Sequence, residues 1–420
     1  MTGSFSHSNA SSDVTASTAD PISDPTAVAD SDGASGIGVL GMGTYLPTRQ
    51  RSNDEVARAI GVSPDWIVER TGVRKRHEAA PDEAASDMAA AAVRSAVAAA
   101  GLDPDQLDLL VLATSTPDEL GPATACRVQA LTKARNAVAL DVGAACSGWL
   151  FATRFAHDYL RADAGSRYAA VVGVEAYSKF LDPADRATAV LFADGAAASV
   201  LGPVPAGEGF TDFHLGSDGA LADHVLIPAG GSRAPADAGT VADGRHTIRM
   251  DGRAVRDFIV EMFPLVVSDS LTRNRLRAED IDAFVTHQPN PRMLRSVGTS
   301  LGIPPGRLPI VADEVGNIGA ASTPYALAAA AVDGLLRRGD RVLLATFGAG
   351  MTWGSALLTW SGAPVIRTAP TAASAAAAPA AEATGCPAGT AEAAGTAEPA
   401  ETAEAAVSAV SAVSAERSAR

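Results

Sequence analysis

The chain has 420 residues, a formal net charge of −15 and three cysteines, Cys126, Cys146 and Cys386. This length predicts two packed units rather than one minimal domain. Three cysteines with no Cys-x-x-Cys pair and no His/Cys cluster exclude a disulfide framework and a structural metal site. With no apolar run long enough to span a bilayer and no basic-then-apolar leader, a soluble cytoplasmic protein without membrane contact is expected.

The charge is unevenly placed. Residues 1–35 carry five Asp and no Lys or Arg, and residues 362–420 carry six Glu against three Arg, leaving −7 for the body between them. An acidic body argues against nucleic acid as a partner. Both tails are poor in large apolar side chains, the second an Ala/Glu/Thr/Pro-rich low-complexity stretch, and both are expected to be disordered.

Along the body, Ser63-Pro64-Asp65 reads as the cap of a helix that carries Trp66, and Gly101 as the end of a helix over 86–100. The apolar run Leu107–Thr114 predicts a strand. Small apolar residues before Cys146 suggest another, and Trp149, Leu150, Phe151, Phe155, Ala156 and Tyr159 after it recur at helical spacing. A strand at 168–174 and a Gly-containing strand at 193–201 follow. The same order then repeats: a helix over 254–274, a strand ending at His287, a strand at 341–346 and a Gly-rich strand at 349–358. Leu102-Asp103-Pro104-Asp105-Gln106-Leu107-Asp108 even resembles Leu276-Arg277-Ala278-Glu279-Asp280-Ile281-Asp282. The pattern predicts two duplicated α/β halves, 36–205 and 206–361, each with a sheet covered by helices.

Three polar segments punctuate this pattern. Cys146 sits where a helix begins, and free N–H groups with the positive helix end there favour a thiolate, with a pKa expected below about 8.5. His287 ends an apolar strand, where α/β proteins place ligand-facing groups. Asn317 lies in Gly316-Asn317-Ile318-Gly319. Taken singly, Cys146 reads equally well as a small core residue, and His287 and Asn317 read better as a structural histidine and a turn residue. Together, a thiol, an imidazole and an amide donor point to nucleophilic acyl chemistry. Two other motifs are weaker. Gly298-Thr299-Ser300-Leu301-Gly302 matches the GxSxG of serine hydrolases but falls in an amphipathic helix (Met293, Leu294, Val297, Leu301), and Gly41-Met42-Gly43 lacks the third glycine of a dinucleotide loop.

Cys146 in AACSG, His287 in HQPN, Asn317 in GNIGAAS and the closing FGAGMTWGSALL resemble the beta-ketoacyl-ACP synthase III family of the thiolase superfamily. Trp66–Arg76, Asp182-Pro183-Ala184-Asp185-Arg186 and Phe192-Ala193-Asp194-Gly195 strengthen the resemblance, which covers 36–361. It implies the layered α-β-α-β-α thiolase-like fold, a homodimer and no cofactor. The implied reaction loads an acyl group from acyl-CoA onto Cys146. Malonyl on acyl carrier protein then loses CO2 and attacks that acyl group, giving a 3-oxoacyl product for fatty-acid or polyketide-type biosynthesis. His287 and Asn317 would stabilise the enolate, and the backbone N–H groups of Cys146, Ala349 and Gly350 the tetrahedral oxyanion. Trp66, Arg70, Arg186, Gly252 and Asn290 would contact the CoA and its pantetheine, and Arg292 and Arg295 the acidic carrier protein.

The sequence departs from the family pattern at several positions. Gly121 stands where a bulky residue normally reaches an acyl pocket, so a larger primer is expected. Pro289 and Pro291 stiffen the loop after His287, Arg256 replaces an aromatic, and Ala193 and Ala197 replace glycines. A superfamily acyltransferase that passes its acyl group to an alcohol or amine is the alternative activity.

Overall fold

The structure, a computed structural model, describes residues 34–368. The expected disordered tails lie outside the described residues except at their inner edges, and there both boundaries move. The first strand, Ala34–Tyr45, begins before residue 36. Val365–Thr368 forms a further strand, pairing in parallel with Met42–Tyr45, beyond the expected end at 361. Its backbone closes the open side of the first strand, and Val365 packs on the central core.

Each half has one main sheet, beside a small two-stranded one. The first runs Val365–Thr368, Ala34–Tyr45, Asp194–Pro205, Ala169–Ala176, Leu109–Ala113, Val138–Val142, and the second Ala283–Thr286, Arg341–Gly348, Thr352–Thr359, Gly209–Ser217. The four strands of the second sheet repeat the orientations of four in the first. Leu109–Ala113 lies parallel to Ala169–Ala176, which is antiparallel to Asp194–Pro205 and that in turn to Ala34–Tyr45. Ala283–Thr286, Arg341–Gly348, Thr352–Thr359 and Gly209–Ser217 follow the same scheme. The duplication read from the sequence is therefore a duplication of topology.

Side-chain alternation along these strands makes the layers. Leu109, Val111 and Ala113 face one way, into a core with Trp149, Leu150, Ala152, Ala156, Ala326 and Leu327, which Ala283, Val285, Val342 and Leu344 join from the second sheet. The helices Gly148–Ala162 and Ser322–Val332 thus lie between the two sheets. Leu110 and Leu112 face the other way, onto the helices Ala85–Ala99 and Thr124–Thr132. Phe284, Leu343 and Phe347 do the same toward Gly252–Asn274 and Pro291–Ser300. Fully burying one such Leu or Phe side chain contributes roughly 1.5–3 kcal/mol.

Gly41 and Gly43 have a packing role in this scheme. A Cβ on Gly43 would lie 2.2 Å from the Ala92 carbonyl oxygen and one on Gly41 2.4 Å from Ala100 N, so glycine lets the Ala-rich helix lie directly on the strand. They form no phosphate-binding loop. Likewise Ser300 ends the helix Pro291–Ser300 and spends its hydroxyl on the Val297 carbonyl, which removes the serine-hydrolase reading.

Candidate active site

Cys146 follows the strand Val138–Val142 through a short turn. Ala145 takes a left-handed φ of +46°, a conformation that costs an L-residue roughly 1–2 kcal/mol. The 3-10 turn Ala145–Ser147 then leads into the helix Gly148–Ala162, so the thiol stands just before a helix start, as expected. Gly348 backs this turn so closely that a Cβ there would lie 2.7 Å from Ala144 O and 2.8 Å from Ser147 N. The turn Ala349–Gly350 is thereby brought beside the nucleophile. The N–H groups of Ala349 and Gly350 have no hydrogen-bond partner among the described residues, and that of Cys146 is turned toward its own sulfur.

The expectation of a depressed thiol pKa is overturned. Burial pushes Cys146 up to about 12, and the charge of Glu175 adds to the rise. A hydrogen bond from the Tyr177 hydroxyl, 3.8 Å from Sγ, and the local backbone N–H pull the other way. Desolvation thus outweighs the helix end in the empty site.

His287 follows the strand Ala283–Thr286, and its N–H is tied to the Ala345 carbonyl at 2.9 Å. Ala345 lies in Arg341–Gly348, the strand that packs against the Cys146 turn. Burial lowers the imidazole pKa to about 3, so the ring is neutral at physiological pH. Its Nδ1 is sealed without a partner, which leaves Nε2 to face a substrate. Gln288 fixes the loop beyond it: its amide Nε2 donates to Thr286 O and Pro309 O, and its Oε1 accepts from Val311 N.

Asn317 precedes the turn Gly319–Ala321, which packs on the Cys146 turn. Its backbone is pinned on both sides, N–H to Leu191 O at 2.8 Å and C=O from Ala193 N at 3.0 Å. Its side-chain Oδ1 accepts from Gly319 N at 3.0 Å, so Nδ2 remains a donor. Ala193 and Ala197, the two replaced glycines, fill the core beside this loop with Ile318 and Ala321. Cys146 and Asn317 therefore occupy matching places in the two halves, each just ahead of a central helix.

Two residues that the sequence reading passed over complete the site. Glu175, fully buried, is the last residue but one of the strand Ala169–Ala176. Its carboxylate accepts from Ser115 N (3.1 Å), Thr116 Oγ1 (2.9 Å), Thr114 Oγ1 (3.4 Å) and Ala320 N (3.4 Å). Burial raises it to about 8 despite those bonds. It links the loop after Leu109–Ala113 to the turn after Asn317. Tyr177, two residues on, is the phenol beside Cys146. A charged residue closing the otherwise apolar run 169–174 was the signal that could have marked Glu175.

Of the residues expected to hold CoA, Trp66, Arg70 and Arg186 lie close together. Trp66, half-buried, packs on Ile60, Ile67 and Val190 at the start of the helix Pro64–Thr71, with Ser63 as its cap. The Arg70 guanidinium lies 5.8 Å from the Trp66 ring centre. Arg186 is exposed and donates to Ile60 O at 3.0 Å. Gly252 opens the helix Gly252–Asn274. Asn290 caps Pro291–Ser300, its Oδ1 accepting from Met293 N. Arg292 donates to the Glu69 carbonyl, and Arg295 pairs with Asp313 at 3.4 Å. Arg256 is paired with its neighbour Asp257 at 2.6 Å. At Gly121 an added Cβ would meet nothing within 4 Å. Gly121 is itself exposed, as is Leu120 before it, while Trp149 is buried in the central core.

Among the described residues no helix is long and apolar enough to cross a membrane, and no three His, Cys, Asp or Glu side chains are grouped to hold a metal.

Known proteins share this arrangement. Residues 140–219 match the family described as 3-oxoacyl-[acyl-carrier-protein (ACP)] synthase III, and residues 271–360 its C-terminal family. A beta-ketoacyl-[acyl-carrier-protein] synthase III of Symbiobacterium thermophilum is 42% identical over 326 residues, 77% of this chain and 98% of the relative. Acetoacetyl CoA synthase NphT7 of Streptomyces sp. strain CL190 is 44% identical over 324 residues, 77% and 98% of the two chains. The crystal structure of 3-oxoacyl-(acyl carrier protein) synthase III from Pseudomonas aeruginosa PAO1 superposes with a TM-score of 0.72 at 40% identity, covering 78% of this chain and 99% of that one. With its duplicated halves, its Cys146 turn between them and relatives of this identity along nearly their whole length, the chain belongs to the beta-ketoacyl-ACP synthase III family.

Proposed function

We propose that the chain catalyses decarboxylative Claisen condensation in two half-reactions that share one pocket. In the first, the Cys146 sulfur attacks the carbonyl carbon of an acyl-CoA. The S–C bond forms, the bond to the CoA sulfur breaks, and the thiol proton leaves with CoA as its free thiol. The N–H groups of Ala349 and Gly350 have no other partner, and with the N–H of Cys146 they are the donors available to the oxyanion that forms in between. In the second, malonyl on acyl carrier protein loses CO2. The resulting enolate takes hydrogen bonds from His287 Nε2 and Asn317 Nδ2, and its carbon attacks the acyl-cysteine, releasing a 3-oxoacyl thioester and the cysteine.

The observation that carries this reading is the neutrality of His287. Burial keeps the imidazole uncharged, so it donates one hydrogen bond to a developing enolate and has no proton to lose to it. A general base poised near pH 7 would need the opposite environment. Separate assays of Cys146 loading and of malonyl decarboxylation in His287→Ala test the point. Loss concentrated in decarboxylation supports the enolate role, and equal loss in both removes it.

Trp66, Arg70, Arg186 and Gly252 bind the CoA moiety in this reading. A homodimer forms along the open edge strand Val138–Val142, where Val138 is exposed and Leu131 and Leu120 add apolar surface nearby. The chain works in the cytoplasm.

A second reading concerns the carrier of the malonyl group. Arg295 and Arg256 are each paired with a carboxylate, which reduces the positive charge offered to an acidic carrier protein, while Arg292, on a neutral carbonyl, keeps its own. One relative is by name an acetoacetyl CoA synthase, and malonyl-CoA is the alternative acceptor substrate here. Comparing kcat/KM for malonyl-CoA and malonyl-ACP with one acyl-enzyme separates the two.

A further inference from the structure

We propose that Tyr177 is a catalytic residue of the loading half-reaction, its phenol donating a hydrogen bond to Cys146 Sγ as the sulfur becomes anionic. The inference rests on Cys146 as the nucleophile and adds a second protein group to it. The Tyr177 oxygen lies 3.8 Å from Sγ, within hydrogen-bond reach of a sulfur. The side chain is buried and held in a fixed place. Its ring packs on Phe192 with centres 4.7 Å apart, in a cluster with Leu181 and Ile248. Gly319 makes room for the phenol: a Cβ there would lie 2.5 Å from the hydroxyl oxygen and 2.6 Å from Glu175 Cγ. A turn shaped around that hydroxyl belongs to the site and not to general packing.

The need for the donor follows from the surroundings. The groups that act electrostatically on the thiol are Glu175 and Tyr177, both from the end of the Ala169–Ala176 strand. His287, from the second half, is neutral. The turns Gly319–Ala321 and Gly348–Thr352 and the first turn of Gly148–Ala162 carry no charged side chain. A thiolate here stands beside Glu175, with backbone N–H groups and the Tyr177 hydroxyl as the donors that act on it. During loading the S–C bond forms, the acyl bond to the CoA sulfur breaks, and the thiol proton departs with CoA. Tyr177 keeps its own proton throughout, donating first to the thiolate and then, more weakly, to the thioester sulfur.

Tyr177→Phe keeps the ring and removes only the oxygen. Hydrogen bonds to charged groups are worth enough for a roughly 10- to 100-fold change in rate. Two readouts are expected in this variant. The pH profile of Cys146 alkylation by iodoacetamide, followed by peptide mapping so that Cys126 and Cys386 do not contribute, moves upward by about one unit. Loading from acetyl-CoA at pH 7 slows about tenfold or more, while malonyl decarboxylation by pre-acylated enzyme changes by less than about threefold. Glu175→Gln, which removes the opposing charge, moves the alkylation profile the other way. An unmoved profile in Tyr177→Phe, or equal loss of both half-reactions, overturns the proposal. Mapping of the trapped acyl group to Cys146 in the wild type is read independently, so failure of the nucleophile assignment would be seen separately.

Discussion

Replacing Asn317 with Ala separates a catalytic hydrogen bond from a structural one within a single side chain. The backbone of residue 317 is held by Leu191 and Ala193 whatever the side chain is, so the loop stays in place. Two interactions are lost. Nδ2 no longer donates to the enolate, and losing one preorganised donor of this kind costs about 100- to 1,000-fold in rate. Oδ1 no longer accepts from the buried Gly319 N–H, and a buried donor without a partner costs about 1–3 kcal/mol of stability. The variant is therefore expected to fold, to unfold in urea with stability lowered by about that amount, and to load Cys146 within a few-fold of wild type. Its malonyl decarboxylation should fall by two to three orders of magnitude. Stopped assays of CO2 release, with intact mass for loading, read the two steps separately. Decarboxylation within tenfold of wild type, or loading that falls as far as decarboxylation, refutes the donor role.

His287 gives a pH prediction. Its pKa of about 3 in the fold lies below the unfolded value of 6.5, so below pH 6.5 the unfolded chain binds a proton that the folded chain refuses. Stability is unaffected above that pH and falls by about 1.4 kcal/mol per unit as pH drops toward 3. His287→Asn removes this penalty, so its loss of stability from pH 7.5 to pH 5 should be smaller than that of wild type by about 2 kcal/mol, measured by urea unfolding; identical losses contradict the buried neutral ring. Gly121→Phe should turn primer choice toward acetyl, because each methylene excluded from an apolar pocket forfeits about 0.8 kcal/mol, roughly fourfold in rate. Competition among acetyl-, butyryl- and octanoyl-CoA reads the shift, and a wild type that already prefers acetyl ends the open-pocket account. For the dimer, light scattering of the full chain should give twice the chain mass and Val138→Lys, on the exposed sheet edge, should lower it; a monomeric wild type contradicts the interface.

The parts of this molecule legible in the sequence are those written in local patterns. Ser63 and Gly101 bracket helices as their types require, and the odd and even residues of Leu109–Ala113 divide between two cores as alternation dictates. Cys146 and His287 stood out because each breaks an apolar run after a strand, and Asn317 because it stands in a Gly-rich segment, which the structure places after the short helix Ala312–Val315 and not at a strand end. What stayed hidden depends on distant partners. Val365–Thr368 is a strand only because Met42–Tyr45 offers it an unpaired edge, and the Thr/Ala/Pro-rich composition around it hides its type. Glu175 and Tyr177 read as the tail of an ordinary strand until the loops at 114–116 and 319–320 close over them. The direction of the Cys146 pKa depends on how much water the folded site excludes, and no spacing in the chain encodes that.

The most direct test follows one acyl group through both steps. Enzyme incubated with an acyl-CoA and examined by intact mass and peptide mapping should gain one acyl mass on Cys146. Addition of a malonyl thioester should then discharge that mass with one CO2 and one 3-oxoacyl thioester per acyl group, while Cys146→Ala gains nothing. An acyl group on Cys126 or Cys386, or a loaded Cys146 that passes its acyl group to an alcohol or amine without releasing CO2, would contradict the account.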